Sequence, residues 1–164
     1  MIAEQAGEDG IRIAAAVPGE AEGLVEAVRR FHDESGHEVG PEQAGAVHAL
    51  CADASLGRAW LLTDRRGRDV GYALAYWRHS IDHGGRIAVL DDLWVEPGLR
   101  GRGLGARLLG AALAEMGESG VRAVVLEADP ADASALAFYR RHGFAPTGTA
   151  LLARAPDAPS GGVT

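Results

Sequence analysis

The 164-residue sequence carries one cysteine, Cys51. No disulfide can form within the chain, which fits a reducing compartment and makes the cytoplasm the expected location. Cys51 falls in a helical run beside apolar residues and reads as a small buried side chain, because free cysteine is usually buried. No apolar run approaches the ~20 residues needed to span a bilayer. The opening residues Met1, Ile2, Ala3, Glu4 and Gln5 lack the basic-then-apolar layout of a signal peptide. A membrane is therefore not an expected partner. Positive charge is also short: 16 Lys and Arg face 23 Asp and Glu, for a net charge of −7. That balance argues against a broad basic surface for nucleic acid. No His/Cys spacing suited to a metal ion and no internal repeat is present.

What is there suffices for one domain with a good core. Hydrophobic residues make up 47% and charged residues 24%, the balance of an ordinary globular protein. Residues 1–10 are polar and read as a flexible N-terminus. Residues 11–154 read as a single domain. Residues 11–13 alternate like a short strand, and the apolar runs over 59–63, 70–77, 86–95 and 121–127 read as strands, with another beginning at Phe144 and its hairpin partner over 150–154. Helical spacing predicts helices over 20–32, from Pro41 through Cys51, over 104–116 and over 132–142. Residues 155–164 are rich in Pro, Gly and Ser and read as a disordered tail.

The most informative stretch runs from Val89 to Gly105. A strand-like run ends at Val95, a Pro-Gly turn follows, and Arg100-Gly101-Arg102-Gly103-Leu104-Gly105 leads into an amphipathic helix. A glycine-rich entry leaves backbone N–H groups pointing one way at the positive end of the helix dipole, a natural seat for phosphate or pyrophosphate. Arg100 and Arg102 add planar cationic donors. Two patterns share these letters. Gly101, Gly103 and Ala106 fit the dinucleotide pattern G-x-G-x-x-G/A, with Glu127 in place of a ribose-binding acid. Element order argues against that oxidoreductase reading, because the loop lies near residue 100 and too little chain follows. Arg100, Gly103 and Gly105 instead meet R/Q-x-x-G-x-G/A.

With the preceding Leu93-Trp94-Val95-Glu96-Pro97, this stretch resembles the acetyl-CoA-binding motif of the GNAT N-acetyltransferase superfamily. Residues 132–144 resemble the family's late helix, N-x-x-A-x-x-F-Y-x-x-x-G-F: Ala135, Phe138, Tyr139, Gly143 and Phe144 match, and Asp132 replaces the usual Asn. An ionised Asp cannot donate the hydrogen bond an Asn can. The resemblance implies an α/β (α+β) fold, with a central mixed, mostly antiparallel sheet splayed at the cofactor site and flanked by helices. It implies acetyl-CoA as cosubstrate, held by the strand edge Leu93, Trp94 and Val95 and by Arg100, Gly101, Arg102, Gly103, Leu104 and Gly105. Asp132, Phe138 and Arg141 are further cofactor candidates. The acceptor is expected to be a primary amine on a small molecule or a lysine, and many relatives are homodimers.

Acetyl transfer to an amine needs a positioned thioester, an acceptor for the ammonium proton and a means to stabilise the thiolate. Tyr139 is the expected acid, because its counterpart in the family sits near the thioester sulfur. Asp91 and Asp92 compete as base. Successive strand residues point to opposite faces, so one of them faces the cleft unless a bulge intervenes. The run from Leu90 to Val95 resembles one in spermidine/spermine acetyltransferases that favours Asp91. His79, Asp82 and His83 on a loop, and Asp33, Glu34 and Glu38 after the first helix, are candidates for the acceptor rim. The rival from another class is a non-catalytic acyl-CoA-binding sensor or interaction module.

Overall fold

The β-rich runs assemble side by side in chain order. In the computed structural model, which describes residues 5–6 and 9–153, β1 (Gln5–Ala6), β2 (Arg12–Ala15), β3 (Gly57–Thr63), β4 (Asp69–Ser80), β5 (Gly85–Val95) and β6 (Val124–Leu126) form one sheet. The first five are antiparallel neighbours, and β6 joins β5 in parallel. A parallel neighbour needs a crossover. Helix α3 (Leu104–Glu118) supplies it.

Both faces of the central strands are covered, so β4 is buried continuously from Val70 to Ala75 instead of alternating. Ala59, Leu61, Tyr72, Leu74 and Trp94 pack against α1 (Ala21–Glu34) and α2 (Pro41–Ala52), whose Leu24, Val25, Val28, Val47, Leu50 and Cys51 close that core. Trp60 lies between Ala59 and Leu61 and so points the other way, where its Nε1 donates to Glu115 of α3. Along α3, Leu104, Leu108, Leu109, Ala112 and Met116 bury one stripe at helical spacing against β3, β4 and β5. Local signals set the helix ends. Pro41 opens α2, and the Gln43 side chain accepts from the Gly40 N–H at 3.1 Å. Past the end of α1, Gly36 takes a left-handed φ of +71°.

The chain divides into two compact units, one ending at Glu127 and the other beginning at Ala128. The sheet and α1 to α3 belong to the first. The second holds α4 (Ala133–Arg141), in which no residue is fully buried.

Three expectations change. The N-terminus is not uniformly loose: Gln5 and Ala6 pair with Ile13 and Arg12. Gly10, at φ +72°, provides the reversal, and Asp9 holds Arg107 at 2.5 Å and the Ile11 N–H at 3.1 Å. The strand expected over 121–127 shrinks to Val124–Leu126: before it the Val121 N–H is held by the Met116 carbonyl of α3, although the Arg122 N–H still reaches the Arg86 carbonyl of β5. No strand forms from Phe144 to Ala153. Pro146 lacks a ladder donor, Gly148 sits at φ +76°, and the Thr147 and Thr149 hydroxyls bond each other at 2.7 Å. Arg154 and the tail over 155–164 lie outside the described residues, as do residues 1–4, 7 and 8.

Candidate active site

The site grows from a mismatch of strand lengths. The β5–β6 ladder ends at Leu90 and Leu126, yet β5 continues to Val95. Beyond Leu90 its outer side has no strand partner among the described residues. The Glu96 N–H is bound to the Val70 carbonyl, so Glu96 faces β4. By alternation Trp94 also faces β4, where it pairs with Tyr72, while Leu93 and Val95 turn their N–H and C=O groups to the other side. There the Val95 carbonyl is taken by Arg100, and the Leu93 groups and the Val95 N–H have no strand partner among the described residues. The sheet thus offers a short row of backbone donors and acceptors beside the start of α3. This is the splay the resemblance implies.

Trp94 departs from its expected role. Its backbone is in the β4 ladder and its side chain is buried under α1, where Nε1 donates to Glu34 at 2.6 Å. The ring lies 5.2 Å from the Arg30 guanidinium and 5.9 Å from the Tyr72 ring. It serves the core, and the open edge is left to Leu93 and Val95.

The turn that follows is built from Pro97–Leu99 and glycines. Gly101 and Gly103 take φ of +77° and +76°, a region that disfavours any residue with a Cβ. A Cβ at either would meet nothing within 4 Å, so the space in front of them is open. Gly103 is the N-cap of α3, and no side chain caps the helix. The first-turn N–H groups of Leu104, Gly105 and Ala106 have no acceptor one turn back and form the anion seat. Leu104 itself is buried and anchors this turn. The two arginines diverge. The Arg100 guanidinium is not free for a phosphate as expected: Nε donates to the Val95 carbonyl at 2.8 Å and Nη2 to Glu34 at 2.8 Å. Arg102 is exposed and makes no hydrogen bond or ion pair with another described residue, so it is the cation available to an anion here.

On the α1/α2 face of the same strand the ladder is irregular. Leu74 pairs with Asp92 and Ala75 with Leu90, so Asp91 is an inserted, bulged residue. The bulge lets both carboxylates act on one pair of tyrosines. Tyr72 donates its hydroxyl to Asp92 at 3.1 Å. Burial pushes the Tyr72 and Tyr76 hydroxyls up, and Asp91 and Asp92 add to this in both. Asp92 is itself held above the ordinary carboxylate range, first by burial and then by the Asp91 charge, while the Tyr72 hydrogen bond and His32 pull it down. Asp91 is exposed and Asp92 half-buried. The result is a fixed carboxylate beside an exposed one, on a face lined by aromatic rings.

Of the rim candidates, Glu34 is at the site, tied to Trp94 and Arg100. His79, Asp82 and His83 are not. His79 lies in β4 opposite Arg86, and Asp82 and His83 lie in the turn that follows, at the Gly85 end of β5, about 20 Å of extended chain from Asp91. There His83 Nδ1 bonds the Ser80 hydroxyl at 2.9 Å. Sequence reasoning passed over Tyr72 and Tyr76. Their alternation with Leu74 places all three on one strand face, which was the available signal.

In the second unit, Asp132 is the N-cap of α4 and accepts from the Ala135 N–H at 2.9 Å. That helix-capping role explains why an Asp suits the position, and it occupies the side chain expected to meet the cofactor. Phe138 lies tilted against His142 at 4.5 Å and meets Tyr139 edge-on at 5.3 Å, and Tyr139 meets Phe144 edge-on at 5.6 Å. Arg141, in the last turn, is exposed.

Comparison with known proteins agrees with this geometry. The acetyltransferase (GNAT) family model matches residues 24–144, and the chain belongs to that family. It is 31% identical over 84 residues to an uncharacterized N-acetyltransferase, YhfO, of Bacillus subtilis, covering 51% of this chain and 56% of that one. It is 30% identical over 148 residues to a mycothiol acetyltransferase of Amycolatopsis mediterranei, covering 83% of this chain and 46% of that one. The chain thus spans about half the length of the curated relatives it matches. Among solved structures, an integron cassette protein from the mobile metagenome of Cole Harbour Salt Marsh superposes with a TM-score of 0.78 and 32% identity, over 90% of this chain and 91% of that one. Family membership removes the dinucleotide reading of the glycine loop, and with it the ribose-binding role for Glu127. Among the described residues no helix is long and apolar enough to cross a membrane.

Proposed function

We propose that the chain is an acetyl-CoA-dependent N-acetyltransferase that moves the acetyl group directly to a primary amine, on a small molecule or a lysine, in the cytoplasm. The observation that carries this reading is the open edge at Leu93 and Val95 running into the uncapped, glycine-lined start of α3. The open edge matches the needs of an amide-bearing arm, and the anion seat those of a pyrophosphate. The open space before Gly101 and Gly103 and the unpaired Arg102 fit the same group. Acetyl-CoA, when bound, supplies the acetyl group as a thioester. Leu93 and Val95 orient the arm through their backbones, and the N–H groups of residues 101–106 with Arg102 hold the phosphates.

Asp92 is our choice of base. Its Oδ2 is fixed by Tyr72, and burial and the Asp91 charge hold its proton affinity above the ordinary carboxylate range, the direction that helps a carboxylate take a proton from an alkylammonium. Asp91 acts as the neighbouring charge that raises that affinity. Tyr139 holds a phenolic proton at its hydroxyl for the leaving thiolate, a role that rests on its place in the Phe138-Tyr139-x-x-x-Gly143-Phe144 pattern. Direct transfer is favoured because Cys51, the single cysteine of the sequence, is buried in the α1/α2 core and its thiol is pushed up by burial, which disfavours a thiolate there to carry an acyl group.

A thiol-release assay with a panel of primary amines tests the reading. Turnover is expected with at least one amine, and Tyr139→Phe should lower kcat by roughly 10- to 100-fold with CoA affinity unchanged, the low end of general-acid effects. CoA binding without turnover of any amine or lysine peptide would make the protein a sensor instead.

A further inference from the structure

The last residue of α1 touches two parts of the site. One Glu34 carboxylate oxygen accepts the Trp94 Nε1–H at 2.6 Å, and the two oxygens accept Arg100 Nη2 at 3.1 and 2.8 Å. The same guanidinium donates Nε to the Val95 carbonyl at 2.8 Å. Arg100 is the residue that enters the glycine turn, and Val95 is the last residue of the open edge. One carboxylate therefore fixes, through one guanidinium, the angle between the strand edge and the anion seat, and it does so from the helix that bounds the acceptor face.

We infer that Glu34 is a positioning residue that pre-organises the Arg100–Gly105 turn for the cofactor's phosphates by clamping Arg100 between α1 and the end of β5. An ion pair at this exposure, with side chains 34% and 49% exposed, contributes little by itself. Two features set it apart. The Trp94 indole is a buried donor, and Glu34 is its acceptor, so the carboxylate cannot drift without stranding that N–H. And Arg100 is bound at two nitrogens to two different elements, which spends the guanidinium's planar geometry on an angle instead of on a single contact. Burial pushes the Glu34 carboxyl up, but the hydrogen bonds from Trp94 and Arg100 and the Arg100 charge more than offset it and leave it below the ordinary range. Glu34 is thus an anion near a seat for anions. It opposes the cofactor by charge and assists it by geometry, and the inference is that geometry wins.

This rests on the acetyl-CoA reading of the site, and the experiment separates the two. CoA affinity is measured by calorimetry for wild type, Glu34→Gln, Arg100→Gln and the double variant, with melting temperature recorded for each. Gln keeps a carbonyl oxygen for the Trp94 N–H and removes the negative charge that faces the Arg100 guanidinium. Each single variant should weaken CoA by roughly 10-fold, the size of one charge-assisted hydrogen bond, and the double variant should be no worse than either single one. A lower melting temperature with unchanged CoA affinity would reduce Glu34 to a structural contact and overturn the inference. Tighter binding in Glu34→Gln would overturn it too, since it would mean that charge outweighs geometry and that Arg100, released, binds phosphate itself. Arg100→Gln carries the same test from the more exposed partner should Glu34→Gln not fold. Wild-type protein that binds no CoA would overturn the acetyl-CoA reading and this inference together.

Discussion

Burial and the adjacent Asp91 charge hold the Asp92 carboxyl above the ordinary range, and the Tyr72 hydroxyl pulls it back. These influences have opposite signs, so single substitutions should move the acid limb of the kcat/KM profile in opposite directions. The base works ionised, and activity is lost as pH falls through its pKa. Asp91→Asn removes a like charge, lowers the Asp92 pKa and should shift the limb to lower pH. Tyr72→Phe keeps the buried ring, removes the bond that favours the anion, and should shift the limb to higher pH. Asp92→Asn should abolish the limb and cost ~10²–10⁴-fold in turnover, the usual worth of a general base. If Asp91→Asn carries the large loss and Asp92→Asn does not, the exposed residue of the bulge is the base. The pair stood out in the sequence as two acids on an apolar strand. The bulge that separates their roles did not, because it is a property of the β4–β5 register and not of either strand alone.

The turn between β5 and α3 was legible because its chemistry is local. Left-handed backbone favours glycine, and glycine stands at both positions where the turn is left-handed. The sharpest test uses two glycines of that turn. Gly98 has no positive φ and open space around it, so Gly98→Ala should change neither stability nor CoA affinity. Gly103→Val forces a β-branched residue into the left-handed region and should cost about 1–2 kcal/mol in urea unfolding. It also fills the open face of the anion seat, so CoA affinity by calorimetry should fall far more than that strain explains. Equal affinity in a folded Gly103→Val protein would move the phosphates elsewhere. Glu34 shows the opposite case. Its partners Trp94 and Arg100 lie 60 and 66 residues away, and nothing in the residues around Glu34 announces them. The strands expected after Phe144 failed for a third reason. Short apolar stretches flank a turn-like segment there, but Pro146 and Gly148 cannot sustain a ladder.

The 16 basic residues of the chain are all arginine, and the sequence contains no lysine. Arginine keeps its charge at any working pH and offers no neutral amine. If the protein acetylates amines as proposed, it therefore presents no side-chain amine of its own. With Cys51 buried as well, incubation with acetyl-CoA should leave every internal peptide without an acetyl adduct by mass spectrometry. An adduct on Cys51 would replace direct transfer with a covalent route. The division of the molecule at Glu127 was not legible, since the family pattern runs unbroken to residue 144 while burial does not.

The gap between β5 and β6 has a cost outside chemistry. Unpaired N–H and C=O groups are what a stray extended peptide, or an unfolding neighbour, pairs with, and proteins commonly guard such edges with charge, proline or a covering helix. At Leu93 and the Val95 N–H, the cofactor proposed above would be that guard, while the Val95 carbonyl is already held by Arg100. A ligand held at 100 times its dissociation constant adds ~2.7 kcal/mol to the native state. On the acetyl-CoA reading, starvation for the ligand would therefore withdraw substrate and also leave this protein more prone to aggregate, tying its lifetime to that supply.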